Sequence, residues 1–138
     1  MSDAKRILLV GHCLPDRYLL SRAVKKAIDG VEIEHANTDD ALAKHLPQSH
    51  VLLVNRVLDG RFEHTSGVEL IRELRERSGA ACMLISNYEE AQAEAQQAGA
   101  LPGFGKSELG KPTTHERLRA AAKLPDQRAN DLGSDTTE

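Results

Sequence analysis

Three short stretches of the sequence hold residue types that can do chemistry. His12, Cys13 and Asp16 place an imidazole, a thiol and a carboxylate close together. Such groups hold zinc or copper when they converge on one point. Neighbouring side chains tend to point apart, and the other histidines (35, 45, 50, 64 and 115) are scattered. No metal and no cofactor is therefore expected, although His12 is placed to titrate near neutrality as a pH sensor. The run Ala100-Leu101-Pro102-Gly103-Phe104-Gly105-Lys106-Ser107 fits a relaxed phosphate-loop pattern with Ala at the first Gly position. A working phosphate loop follows a strand, opens a helix and has Mg²⁺-handling acids on a later strand. Here a helix precedes the run, Pro112 interrupts the stretch after it, and no further strand pattern remains. Nucleotide binding at Lys106-Ser107 is an alternative with weak support. Gly11-His12-Cys13-Leu14-Pro15-Asp16 comes after an apolar run but holds one Gly and a Pro, so it is no dinucleotide or flavin phosphate turn.

Each of these groups also has an ordinary structural use. Ser86 stands three residues before Glu89 and so has the spacing of a helix cap. Lys106 can neutralise a pocket or pair with a surface acid. Asn55 can be a buried polar residue with satisfied partners.

The bulk composition narrows the classes. The chain has 138 residues, 40% of them hydrophobic and 28% charged, the make-up of one ordinary globular domain. No apolar run approaches the ~20 residues of a membrane span, and residues 1 to 10 lack a signal-peptide core. The two cysteines, Cys13 and Cys82, show no paired spacing, so the default setting is cytoplasmic. Asp126, Asp131, Asp135 and Glu138, against Arg128, account for the whole net charge of −3. The body is neutral, aromatics are 3%, and Trp is absent, so the basic field and stacking rings of a nucleic-acid binder are missing.

Apolar runs alternate with amphipathic stretches along the chain. Ile7 to Val10, Val51 to Val54 and Ala81 to Ile85 are apolar on both faces, as buried parallel strands are. Val31 to His35 alternates, and the weak strand Leu101 to Gly105 contains Pro102, so these two suit sheet edges. Leu20, Ala23, Val24, Ala27 and Ile28 form a helical stripe closed by Asp29-Gly30. Asn37 or Thr38 can cap a short helix that runs to about Leu46. Ser66 with Glu69, and Thr113 with Glu116, have capping-box spacing before further helices. Tyr88 to Ala98 reads as a helix with Ala91, Ala95 and Ala98 on one face. These elements predict residues 1–124 as one α/β domain, a three-layer flavodoxin-like sandwich with a five-stranded parallel sheet in the order 2-1-3-4-5. The acidic stretch 125–138 is predicted to be a disordered tail. Ligands of such sheets sit at the carboxyl ends of the strands, where the strand order reverses. Gly11, His12 and Cys13 fall there, as does Asn55.

At those strand ends the sequence resembles the receiver domain of bacterial two-component response regulators, over residues 5 to about 123. The matching stretches are Ile7-Leu8-Leu9-Val10 with Pro15-Asp16, Val51 to Asn55, Ser66 to Arg75, Met83-Leu84-Ile85-Ser86, and Gly99-Ala100 through Lys106. The resemblance implies a pair of Mg²⁺-holding acids after strand one and a phosphoryl-accepting Asp after strand three. It also implies a Ser or Thr after strand four and a Lys after strand five, both contacting the phosphate. Gly11 and His12 stand where the acids would be, and Asn55 stands at the acceptor position. An amide is no carboxylate nucleophile, and Mg²⁺ needs hard oxygen ligands that Gly and His do not supply. Ser86 matches. The Lys is Lys106 by distance from Gly99, or Lys111 by its Lys-Pro pairing with Pro112 and its distance to the last helix. The expected site is thus a degenerate phosphorylation pocket of Gly11, His12, Asn55, Ser86 and Lys106.

The segment from Asn55 to Gly67 is longer than the usual family loop and carries Asp59. The resemblance implies a stand-alone, non-enzymatic signalling module that binds a kinase, a regulator or a scaffold, or pairs as a homodimer. In the family, helix four, strand five and helix five commonly form the docking face. A displaced acceptor at Asp59 or Asp16 is the alternative.

Overall fold

The computed structural model describes residues 4–124. Five parallel strands, β1 (Arg6–Val10), β2 (Glu32–Ala36), β3 (Val51–Asn55), β4 (Ala81–Ile85) and β5 (Leu101–Phe104), form one sheet in the order β2-β1-β3-β4-β5. The expected order is the observed one. Helices α1 (Leu14–Ala27), α2 (Asp39–His45), α3 (Gly67–Arg77), α4 (Glu89–Gln97) and α5 (Pro112–Lys123) make the crossovers.

The alternation of side chains along a strand divides the core in two. Leu8, Val10, Leu52, Val54, Cys82 and Leu84 pack on Leu42, Leu70, Ile71, Leu74, Ala91 and Ala95, so α2, α3 and α4 cover that face. Ile7, Leu9, Leu53, Met83, Ile85 and Phe104 meet Leu20, Val24, Leu118 and Ala121, so α1 and α5 cover the other. Each fully buried large side chain contributes about 2 kcal/mol of transfer free energy. Both faces of β1, β3 and β4 are therefore committed to the core. Only the strand ends are left to do anything else. The register, with Val10 opposite Val54 and Asn55 opposite Ile85, brings the ends of these strands side by side.

Helix starts differ in detail from their sequence signatures. Thr38, not Asn37, caps α2, its hydroxyl accepting from the Ala41 N–H at 3.0 Å. Ser66 caps α3, but Glu69 reaches forward to Arg72 rather than back to the cap. The capping box expected at Thr113 and Glu116 is absent. Helix α5 starts two residues earlier, with Pro112 in its first turn and Lys111 at the cap position, and the Thr114 hydroxyl donates to Glu108 O. A proline has no N–H to lose and its φ suits a helix start, so it outweighs the weaker Thr signal. The α4 start also moves: Tyr88 is its cap residue and Ser86 lies outside it. The expected acidic tail, 125–138, lies outside the described residues. No helix among the described residues is long and apolar enough to cross a membrane.

Candidate functional site

The carboxyl edge of the sheet has two halves. Between β1 and β3 it is closed. The chain leaves β1 through Gly11 at a φ of 75°, a left-handed conformation that favours glycine. The loop between β3 and α3 crosses directly over this point. A Cβ on Gly11 would lie 2.6 Å from Leu58 Cδ2 and 3.2 Å from Leu58 Cα. The Asp59 N–H donates to Gly11 O at 2.9 Å, and the Arg61 N–H donates to Asn37 O at 2.8 Å. Glu63 N–H donates to the Asp39 carboxylate at 2.8 Å, and Leu58 N–H to Thr65 O at 3.0 Å. The loop is therefore a cover with its own hydrogen bonds, and Leu58 packs against the core below it.

His12 and Asn55 sit beneath that cover. His12 is fully buried, and its Nε2 lies 2.8 Å from Leu53 O. A carbonyl only accepts, so Nε2 carries the proton. Burial drives the His12 pKa down to about 4, opposed by the Leu53 hydrogen bond and lowered further by Lys106. The ring is neutral at pH 7, which corrects the expectation of a titration near neutrality. The Asn55 amide nitrogen donates to Gly11 O and to Val57 O, each at 2.9 Å. Asn37 donates to His12 O at 3.0 Å and to Asp59 O at 2.9 Å, so it ties the β1 turn to the cover. Its sequence signal was ambiguous, because Asn37 and Thr38 compete for one cap.

Between β3, β4 and β5 the edge is open. A cavity of about 350 Å³ is lined by Asn55, Arg56, Val57, Ser86, Tyr88 and Lys106, among others. Ser86 does not cap α4 through the usual spacing. Its hydroxyl oxygen accepts from the Tyr88 N–H at 3.1 Å, a local turn that sets Tyr88 at the cavity wall. Lys106 Nζ donates to Asp16 Oδ2 at 2.5 Å, joining the β5–α5 connection to the first turn of α1. This hydrogen bond is the main reason that the Asp16 carboxyl is held below its ordinary value. The Arg56 guanidinium lies 4.8 Å from the centre of the Tyr88 ring. Arg56 is not among the residues expected from the sequence. It comes directly after Asn55 at a strand end, which was the available signal.

The structure brings Asn55, Ser86 and Lys106 to one cavity and sets Gly11 and His12 behind Asn55. Lys111 lies elsewhere, 3.7 Å from Glu108 on the surface. Asp59 is exposed on the cover, its Oδ2 3.4 Å from Asn37 Nδ2. The phosphate-loop-like run is taken up by β5 and a single 3-10 turn, and no long helix starts at its Lys. The expected helix before the run is α4, and the expected weak strand within it is β5. Among the described residues no three His, Cys, Asp or Glu side chains converge to hold a metal.

No protein-family model matches the sequence, and no curated protein sequence matches it. Solved structures do. A response regulator from Thermotoga maritima is 18% identical with a TM-score of 0.67, over 88% of this chain and 99% of that one. NtrX from Brucella abortus is 22% identical with a TM-score of 0.63; the match covers 97% of this chain but only 29% of that one. A response regulator protein from Burkholderia pseudomallei, crystallised with a phosphorylated aspartic acid, calcium ion and citrate, is 17% identical with a TM-score of 0.57, over 97% of this chain and 75% of that one. The fold is that of a response-regulator receiver domain.

Proposed function

We propose that this domain is a receiver-like signalling module that works by binding a partner protein and is not switched by aspartyl phosphorylation. The observation that carries the reading is the state of Asn55. Both hydrogens of its amide are given to backbone carbonyls, Gly11 O and Val57 O. The side chain at the acceptor position is thus a strut between two loops and offers no carboxylate for attack on phosphorus. The second support is Leu58, which occupies the space in front of Gly11 where a metal-holding acid would need to stand. Phosphoryl transfer needs both a nucleophile and a cation, and Asn55, Gly11 and His12 supply no carboxylate for either role.

The domain on this reading is not an enzyme and uses no cofactor. Its partner is a signalling protein such as a kinase, a regulator or a scaffold, or a second copy of the chain, in a cytoplasmic setting and without nucleic acid or membrane. Asp16 is the better placed of the two displaced acceptors, because Lys106 holds it ionised beside the cavity.

The test is intact-mass measurement after incubation with acetyl phosphate and Mg²⁺, with hydroxylamine as the control. An unchanged mass is expected. A hydroxylamine-labile adduct mapped to Asp16 or Asp59 would overturn the reading and make the domain a switch with a relocated acceptor.

A further inference from the structure

The open half of the edge has the composition of a binding hot spot. Arg56 has no carboxylate partner among the described residues, and its guanidinium lies against Tyr88 rather than an acid. An arginine stacked on an aromatic face keeps its edge N–H donors free for a planar acceptor. Tyr88 and Val57, beside it, are 62% and 57% exposed. Lys106 and Ser86 line the same cavity. A lone mobile anion would use the cations and leave Tyr88 and Val57 in water. A protein segment would cover both, and Arg and Tyr are the residues that dominate such contacts.

We infer that the cavity bordered by Arg56, Tyr88 and Lys106 receives an Asp or Glu side chain from a partner protein, with an apolar neighbour of that acid covering Tyr88 and Val57. This rests on the binding-module reading and names the chemistry of the partner. The carboxylate takes the free edge of the Arg56 guanidinium, and its approach to Lys106 competes with Asp16. The volume of about 350 Å³ suits one acidic side chain with room for water.

The test is selection from a random peptide library on the immobilised full chain, followed by titration of the selected peptides. Peptides with an acid next to an apolar residue are expected. Arg56→Gln should weaken them by about tenfold or more, and Lys111→Gln should leave them unchanged. Each selected peptide is also made with its acid replaced by the matching amide, which should bind as weakly as the Arg56→Gln pair. The inference is overturned if no peptide is enriched, if the enriched peptides carry no acid, or if Arg56→Gln binds them equally. It is also overturned if inorganic phosphate alone saturates the Arg56 and Lys106 resonances more tightly than the best peptide, which would make the cavity a small-anion site. An acetyl phosphate adduct would instead sink the binding-module reading itself, so the two failures are distinguishable.

Discussion

The two halves of the sheet's carboxyl edge start from neighbouring strand ends and use them in opposite ways. Between β1 and β3, His12 and Asn55 give their hydrogen bonds to backbone carbonyls, and Leu58 covers Gly11. Between β3 and β5, Arg56 lies against Tyr88 at the border of a cavity that no described residue covers. The first half has become part of the packing, and the second has stayed a surface. Gly11 lets the loop above come down over the end of β1, and the loop in turn leaves no room for a side chain there.

The largest effect should come from forcing a side chain in at that point. Gly11→Asp puts a side chain against Leu58 at a backbone angle unfavourable to it. We expect a loss of about 2–4 kcal/mol in urea unfolding. A loss below about 1 kcal/mol would show that the cover yields freely, and the contrast between closed and open halves would collapse.

Acid is the next way to break the closed half. The folded pKa of His12 is depressed to about 4 from 6.5, so below 6.5 the unfolded chain takes up a proton that the folded chain refuses. Stability from this group is complete above about pH 6.5 and falls as the pH drops toward 4, by on the order of 3 kcal/mol. Urea midpoints across that range measure the slope, and His12→Gln should flatten most of it. His35, also lowered chiefly by burial, adds a slope of the same sign. An unchanged slope in the variant would remove His12 as the cause.

Asn55→Asp sharpens the comparison by placing a carboxylate at the end of β3 and changing nothing else. The new carboxylate would face the Gly11 and Val57 carbonyl oxygens, two acceptors, with no proton to give at neutral pH. A cost of about 2–3 kcal/mol is expected, and acetyl phosphate should still leave the mass unchanged, because Gly11 and His12 at the end of β1 supply no carboxylate to hold Mg²⁺. An adduct on the substituted side chain would show that the cover opens to admit the ion.

Much of this was legible in the sequence because it depends on local pattern. Doubly apolar strands and two distinguishable edges gave the sheet order, the switch point of that order singled out Gly11, His12 and Asn55, and the resemblance to receiver domains added Ser86 and Lys106. What was not legible is what reaches across the chain. Leu58 over Gly11 and Lys106 to Asp16 join residues far apart in sequence, and no spacing rule encodes them. His12 read as a neutral-pH sensor because its type sets an ordinary pKa, whereas its burial under a distant loop sets the real one. Ser86 and Thr113 read as caps because the capping pattern is short and recurs by chance. The extra length between Asn55 and Gly67 was visible, but its use as a cover was not.

The smallest effect on stability is expected in the open half, and it decides whether that half is a surface at all. Among the described residues the Arg56 side chain has no salt bridge and lies against a largely exposed Tyr88 ring, and such contacts are worth about 0.5–1 kcal/mol. Arg56→Gln should therefore move the urea midpoint by less than Gly11→Asp or Asn55→Asp does, by under about 1 kcal/mol. The same substitution should abolish most acidic-peptide binding. A residue that matters little to folding and much to binding is held at the surface for contact. If Arg56→Gln instead costs as much as the substitutions beneath the cover, the guanidinium is a strut between β3 and α4, and both halves of the edge serve the fold alone.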